Sequence, residues 1–235
     1  MRALSNSDFL QLWERGCGMH PIDQALLALG AALPHLSRAS LADWPLGRRN
    51  AALAELRRRC FGAELRSWVA CPQCDERLEF QLDADALAKD GGEEPAPRTV
   101  IVRERKFRLP TSRDLAAVVA EPDADRASVR LLERCCESPA DGAAWSEADA
   151  EEVEEQLALA DPLAETRLAL RCSACSHEWE ESLDLASYLW SEIEARARRT
   201  LIDVHTLASA YGWSEEQILA LSEPRRAVYL EMVQA

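Results

Sequence analysis

Two C-x-x-C pairs, Cys71-Pro72-Gln73-Cys74 and Cys172-Ser173-Ala174-Cys175, hold the residue types and spacing best suited to chemistry in this chain. A C-x-x-C in a tight turn aims two thiolates at one side of a metal, and two such turns supply the four sulfurs of a closed, tetrahedral structural zinc site. The flanking sequence repeats as well. Leu78, Glu79, Leu82 and Asp83 follow Cys74 at the offsets at which Trp179, Glu180, Leu183 and Asp184 follow Cys175. An apolar strand candidate precedes each pair, over residues 65–70 and 168–170. Each unit therefore reads as strand, knuckle, strand. Together they predict a zinc ribbon split by an insertion, with Cys71, Cys74, Cys172 and Cys175 sharing one structural Zn2+.

Other uses of the pairs fit the flanking residues less well. A redox C-x-x-C relies on a helix N-terminus to lower a thiol pKa, whereas residues 75–82 alternate polar and apolar, a strand pattern, and place acidic groups beside Cys74. Haem attachment needs His directly after the second Cys. Ser176 stands there and His177 comes one residue later. Disulfides and a lapsed site stay open, and His177 is close enough in sequence to be a substitute or supporting ligand. Cys17, Cys60, Cys135 and Cys136 have no paired spacing and are expected as buried thiols of a reducing cytoplasm.

The elements that must position the knuckles are mostly helical, so the expected class is α+β: a mostly helical chain with a split zinc-ribbon-like β element and a C-terminal three-helix module. Helices are predicted over 8–15, 20–33 and 45–59, the last with Leu46, Ala52, Leu53 and Leu56 as its apolar stripe. Residues 90–97, rich in Gly and Pro, read as a loop. A hairpin is expected over 99–109, followed by an N-cap at Thr111 or Ser112 and by helices over 127–136 and 146–160. A long helix over 185–211 shows Leu189, Ile193, Ala197, Leu201, Val204 and Ala208 at three-four spacing and stops at Gly212. Ser214 to Gln217 forms a capping box, with Trp213 and Ile218 placed as a hydrophobic staple, and Ser222-Glu223-Pro224 opens a last helix. The organisation predicted is an N-terminal helical region (1–62), a β core (63–183) carrying an acidic helical insertion (about 112–165), and a helical docking module (184–235).

At 235 residues and nearly half apolar, the chain can bury a proper core. Its net charge of −14 opposes nucleic-acid binding. A helix-turn-helix reading of the C-terminus, with Arg225 and Arg226 on phosphates, is opposed by Glu215, Glu216, Glu223 and Glu231. No stretch reads as a signal peptide or a membrane span. Arginine replaces lysine almost throughout, a mark of a GC-rich bacterial source. There is no phosphate loop, no H-E-x-x-H and no G-x-S-x-G, and the four histidines (His20, His35, His177, His205) are unpaired at ligand spacing. The expectation is a bacterial cytoplasmic protein with no catalytic constellation, no small-molecule substrate, no nucleic acid and no membrane.

Several segments also match a family in order. These are the knuckle units, the stretch Phe107-Arg108-Leu109-Pro110-Thr111-Ser112-Arg113-Asp114-Leu115, the second C-x-x-C with Trp179, and the tail. The tail reads DVHTLASAYGWSEEQILALS from Asp203 to Ser222, then Arg225-Arg226 and Tyr229-Leu230. The chain from about Leu65 to Val233 thereby resembles the baseplate and hub proteins of contractile phage tails and of related phage-tail-like injection systems, and the tail is the most specific part. The resemblance implies a structural or assembly role, without enzymatic activity, among other baseplate, hub or tail proteins. The zinc expectation rests on this sequence's own spacing. Two other classes compete: a zinc-ribbon adaptor or regulator that binds a transcription component, and a thiol oxidoreductase working through Cys71 and Cys74.

Overall fold

The computed structural model describes residues 1–83, 99–137 and 146–234, so the loop expected over 90–97 lies outside the described residues. In chain order the elements are α1 (Asn6–Gly16), α2 (Pro21–Ala32), α3 (Arg38–Ala42), α4 (Leu46–Phe61), β1 (Glu64–Ala70), β2 (Arg77–Asp83), β3 (Thr99–Val102), β4 (Arg105–Arg108), α5 (Ser112–Val118), α6 (Ala124–Cys135), α7 (Glu147–Ala160), a 3-10 turn (Pro162–Ala164), β5 (Thr166–Arg171), β6 (Glu178–Leu183), α8 (Leu185–Tyr211), α9 (Glu215–Leu219) and α10 (Glu223–Gln234). Helix dominates and the sheets are small and antiparallel, as the α+β reading expects. The short α3 carries no strong sequence signal and was not anticipated.

Helix α8 is the spine. Its 27 residues start at Asp184, whose carboxylate accepts from the backbone amides of Ala186 and Ser187, and stop at Gly212 in the left-handed conformation. Helices α1, α2, α4, α9 and α10 all pack on it. Leu29, Leu41, Leu53 and Leu56 meet Leu189, Trp190 and Ile193 in the main core. The closeness of α1 depends on Gly16, where a Cβ would collide with the Trp190 indole.

The buried face of α8 departs from the expected stripe. After Ala197 it runs through Thr200 and Leu207, leaving Leu201, Val204 and Ala208 half-buried. Repeated four-residue steps rotate a stripe by about 40° each time, and the three-residue step to Thr200 brings it back. On α4, likewise, Ala52 is only half-buried, and the buried face takes in Arg49, Asn50 and Arg57 instead.

The insertion builds its own core. Strands β3 and β4 pair through a two-residue turn in which Arg103 and Glu104 both have positive φ, a turn geometry matched to strand twist. Val102, Phe107 and Leu109 from this hairpin pack with Leu132, Cys135, Val153 and Leu157 from α6 and α7. The packing unit is therefore wider than the expected insertion, because it includes the hairpin before it.

A polar seam joins this unit to α4. Asp161 accepts from the Gly47 amide at 2.9 Å, at a place where a Gly47 Cβ would strike its carboxylate. Asn50 donates to the Leu163 carbonyl at 2.8 Å, and Arg49 donates to the Ser112 hydroxyl at 3.3 Å. Asp114 is the hub nearby: it accepts from Arg108 at 2.6 and 2.8 Å, from the Thr111 amide at 3.0 Å and from the Thr111 hydroxyl at 2.7 Å. Thr111 is thus the N-cap of α5, as one of the two expected positions.

At the C-terminus, Trp213 stacks on Tyr211 at 4.6 Å and meets Tyr229 edge-on at 4.9 Å, while Ile218 is fully buried. Trp213 therefore belongs to an aromatic trio. No helix among the described residues is long and apolar enough to cross a membrane.

Burial alone would raise the pKa of Asp114, but the hydrogen bonds from Arg108 and Thr111 outweigh it and hold the carboxyl down at about 2. A depressed carboxylate pKa stabilises the fold above the ordinary carboxylate range, and that stabilisation is lost as pH falls through the folded value. Asp114→Asn should lower stability at neutral pH by on the order of 2 kcal/mol. It should also remove part of the loss that the wild type shows between about pH 4 and pH 2, measured by urea unfolding across that range.

Candidate metal centre

Both knuckles are built the same way. Strand β1 delivers Cys71 and β2 leaves after Glu76, with Ala70 opposite Arg77; strand β5 delivers Cys172 and β6 leaves after His177, with Arg171 opposite Glu178. The Cys71 amide donates to the Glu76 carbonyl at 2.9 Å, and the Asp75 amide donates back to the Cys71 carbonyl at 2.9 Å. The second knuckle repeats these bonds from Cys172 to His177 at 2.8 Å and from Ser176 to Cys172 at 3.0 Å. Asp75 and Ser176 occupy equivalent left-handed positions, φ 62 and 61, so the sequence echo is a backbone echo.

Each strand-knuckle-strand unit is its own two-stranded sheet, and the two are not hydrogen-bonded into one among the described residues. They meet at the sulfurs. Cys71 Sγ lies 3.7 Å from Cys175 Sγ, and Cys74 Sγ lies 3.6 Å from Cys172 Sγ. All four sulfurs fall within 4.8 Å of one another. A tetrahedron with metal–sulfur bonds of about 2.3 Å has edges of about 3.8 Å, so the set is compatible with one metal ion. The first Cys of each pair is buried and the second exposed.

The bases of the hairpins are anchored beneath the sulfurs. Leu65 of β1 packs with Ala54 of α4 and Leu185 of α8, and Leu82, Leu183 and Tyr188 close over them. Leu82 and Leu183 are equivalent members of the sequence echo. The Tyr188 hydroxyl donates to the Arg66 carbonyl at 2.9 Å. Arg57 clamps Glu192 with two bonds of 3.0 and 2.9 Å, tying α4 to α8.

Electrostatics favours a cation among the sulfurs. The Cys175 backbone amide, aided by that of Ala174, draws the Cys172 thiol down to about 7. The Glu76 amide pulls on Cys74 in the same sense, but the crowding sulfurs of Cys175, Cys172 and Cys71 win and push it up to about 12. Four thiols this close resist full ionisation together, and a central cation would relieve that repulsion. Neither pair opens a helix, which removes the dipole a redox C-x-x-C uses. His177 contributes its backbone carbonyl to the knuckle, and its ring stacks near Trp179 at 5.8 Å, outside the sulfur group.

The remaining cysteines correct the expectation of buried thiols: Cys135 is buried, Cys60 and Cys136 are half-buried and Cys17 is exposed. The N-terminal half carries two arginine runs, Arg48-Arg49 and Arg57-Arg58-Arg59, and these are engaged within the chain. Arg57 holds Glu192, Arg58 and Arg59 share Glu55, and Arg48 lies over the Trp44 ring at 4.0 Å. Sequence reasoning missed the polar seam, although the Thr111-x-x-Asp114 spacing marked one end of it. It also gave no sign that Arg226 is buried against Asp203.

No protein-family profile matches this chain, and no curated protein and no solved structure does either.

The geometry predicts one divalent metal ion per chain in protein purified without chelator, measured by inductively coupled plasma mass spectrometry. Cys172→Ser should retain less than about a tenth of it, since losing one thiolate of four removes a ligand and distorts the rest.

Proposed function

We propose that Cys71, Cys74, Cys172 and Cys175 hold one structural Zn2+, and that the protein is a structural or assembly component of a contractile, phage-tail-like baseplate in the bacterial cytoplasm. It acts by docking onto other baseplate, hub or tail proteins. The tail carries this reading: the segment from Asp203 that resembles such proteins folds into the end of α8, α9 and α10. That module leaves Val228, Met232 and Val233 exposed on α10 beside the aromatic trio. Clustered apolar side chains on a short terminal helix are what a partner-binding surface needs.

The zinc supports this role through stability. Four thiolates close the coordination shell, leaving no open position for a substrate, and the ion's binding energy becomes folding energy for the two hairpins. Sulfur-only ligation in a tetrahedral set favours zinc over the harder divalent cations.

Affinity purification of the tagged protein from its bacterial host should recover sheath, tube, spike or wedge proteins, identified by mass spectrometry. Recovery of polymerase or regulators without any tail component would replace this reading with the transcription-adaptor one. Chelation should lower Tm by more than about 10 °C, followed by circular dichroism, and an unchanged Tm would remove the structural role of the metal.

A further inference from the structure

A cleft of about 230 Å³ lies between α8 and α10, away from the sulfurs. Three arginines line it. Arg196 is committed to Glu223 and to the Asn6 side chain. Arg226 is 3% exposed, and its Nε faces Asp203 at 3.4 Å. Its buried Nη1 has no hydrogen-bond partner. Arg199 is exposed and has neither an ion pair nor a hydrogen bond among the described residues. A buried guanidinium nitrogen left without an acceptor is costly, and here it belongs to a side chain that lines an open cleft next to a free arginine.

We propose that this cleft is a docking pocket for a single carboxylate, a glutamate or aspartate side chain presented by an acidic segment of a protein partner, bound directly by the exposed Arg199 and drawn by the positive charge of the buried Arg226 in the wall behind it. The charge count selects the ligand. Three arginines against Asp203 and Glu223 leave one net positive charge in the lining, which suits a monoanion better than a doubly charged phosphate. Ala227 and Leu230 form an apolar wall against which the methylenes of an acidic side chain fit, and a guanidinium matches a carboxylate with paired hydrogen bonds.

The use of the pocket rests on the docking reading, but its chemistry does not, and the test involves no tail component. The full-length protein, 15N-labelled, is titrated with a short blocked glutamate-rich peptide, with the matched glutamine peptide and with inorganic phosphate, following the arginine Nε–H resonances by NMR. The glutamate peptide should shift the Arg199 and Arg226 signals saturably, at least about tenfold more tightly than the glutamine peptide. Arg199→Gln, a surface change that leaves the fold intact, should weaken that binding by about tenfold, and Arg226→Lys should weaken it further if the variant folds. No response to the glutamate peptide, an equal response to the glutamine peptide, or undiminished binding by Arg199→Gln overturns the pocket. Tighter binding of inorganic phosphate than of the glutamate peptide overturns it in favour of a free-anion site. Failure of the titration leaves the docking reading standing, whereas absence of tail proteins from the affinity purification leaves the pocket standing.

Discussion

Four sulfurs drawn from two hairpins, 104 and 98 residues apart across their closest pairs, are the point through which the two halves of this chain meet at the β elements. A two-stranded hairpin is marginal in water by itself. Here each hairpin exposes much of its length to solvent, and its firm attachments are the leucines at its base and the cysteines at its tip. Without a cation the tip is a crowd of thiols that repel one another as they ionise. With the proposed zinc it is a rigid corner that fixes β1 and β2 against β5 and β6, and hence the end of α4 against the start of α8.

Helix α8 takes the N-terminal helices along its first half and the two terminal helices along its second, so one continuous element links the sulfur cluster to the surface proposed for docking. Between α4 and the insertion the seam is polar, made by Asp161, Asn50, Arg49 and Ser112. Hydrogen-bonded seams of this kind specify one relative placement where apolar contact alone would tolerate several. The insertion, with Phe107 at the centre of its own core, behaves as a body plugged into that seam.

Much of this was legible in the sequence because the signals were local. The repeated C-x-x-C with its downstream Leu-Asp marked both knuckles, and Gly212 marked the end of α8. Ser214 announced a capping box that the structure contains, while the box at Ser146 went unread although the acidic first turn after it was noted. What was not legible depends on the tertiary surroundings of a residue. Nothing next to Arg49 or Arg226 says that it will be buried. That follows only when Ser112 and Asp203 arrive from elsewhere in the fold. The path of the buried stripe along α8 was misjudged at Thr200 for the same reason, since a three-residue step is chosen by the helices packed on it. The separateness of the two knuckle sheets was equally hidden, because strand pattern predicts pairing within a hairpin and says little about pairing between hairpins.

The dependence of the N-terminal core on α8 also dictates an order of events during synthesis. Leu29, Leu41, Leu53 and Leu56 find their partners on Leu189 and Ile193, which are made only after the whole insertion has been translated. At roughly 5–20 residues per second, the first four helices, which also pack on one another, wait on the order of ten seconds for the face that α8 covers. The second knuckle emerges just before α8, so the first cysteine pair likewise spends that interval as a half-site. The contacts between the N-terminal helices and α8 therefore form late, and while its insertion is being made the nascent chain carries apolar surface that α8 will later cover.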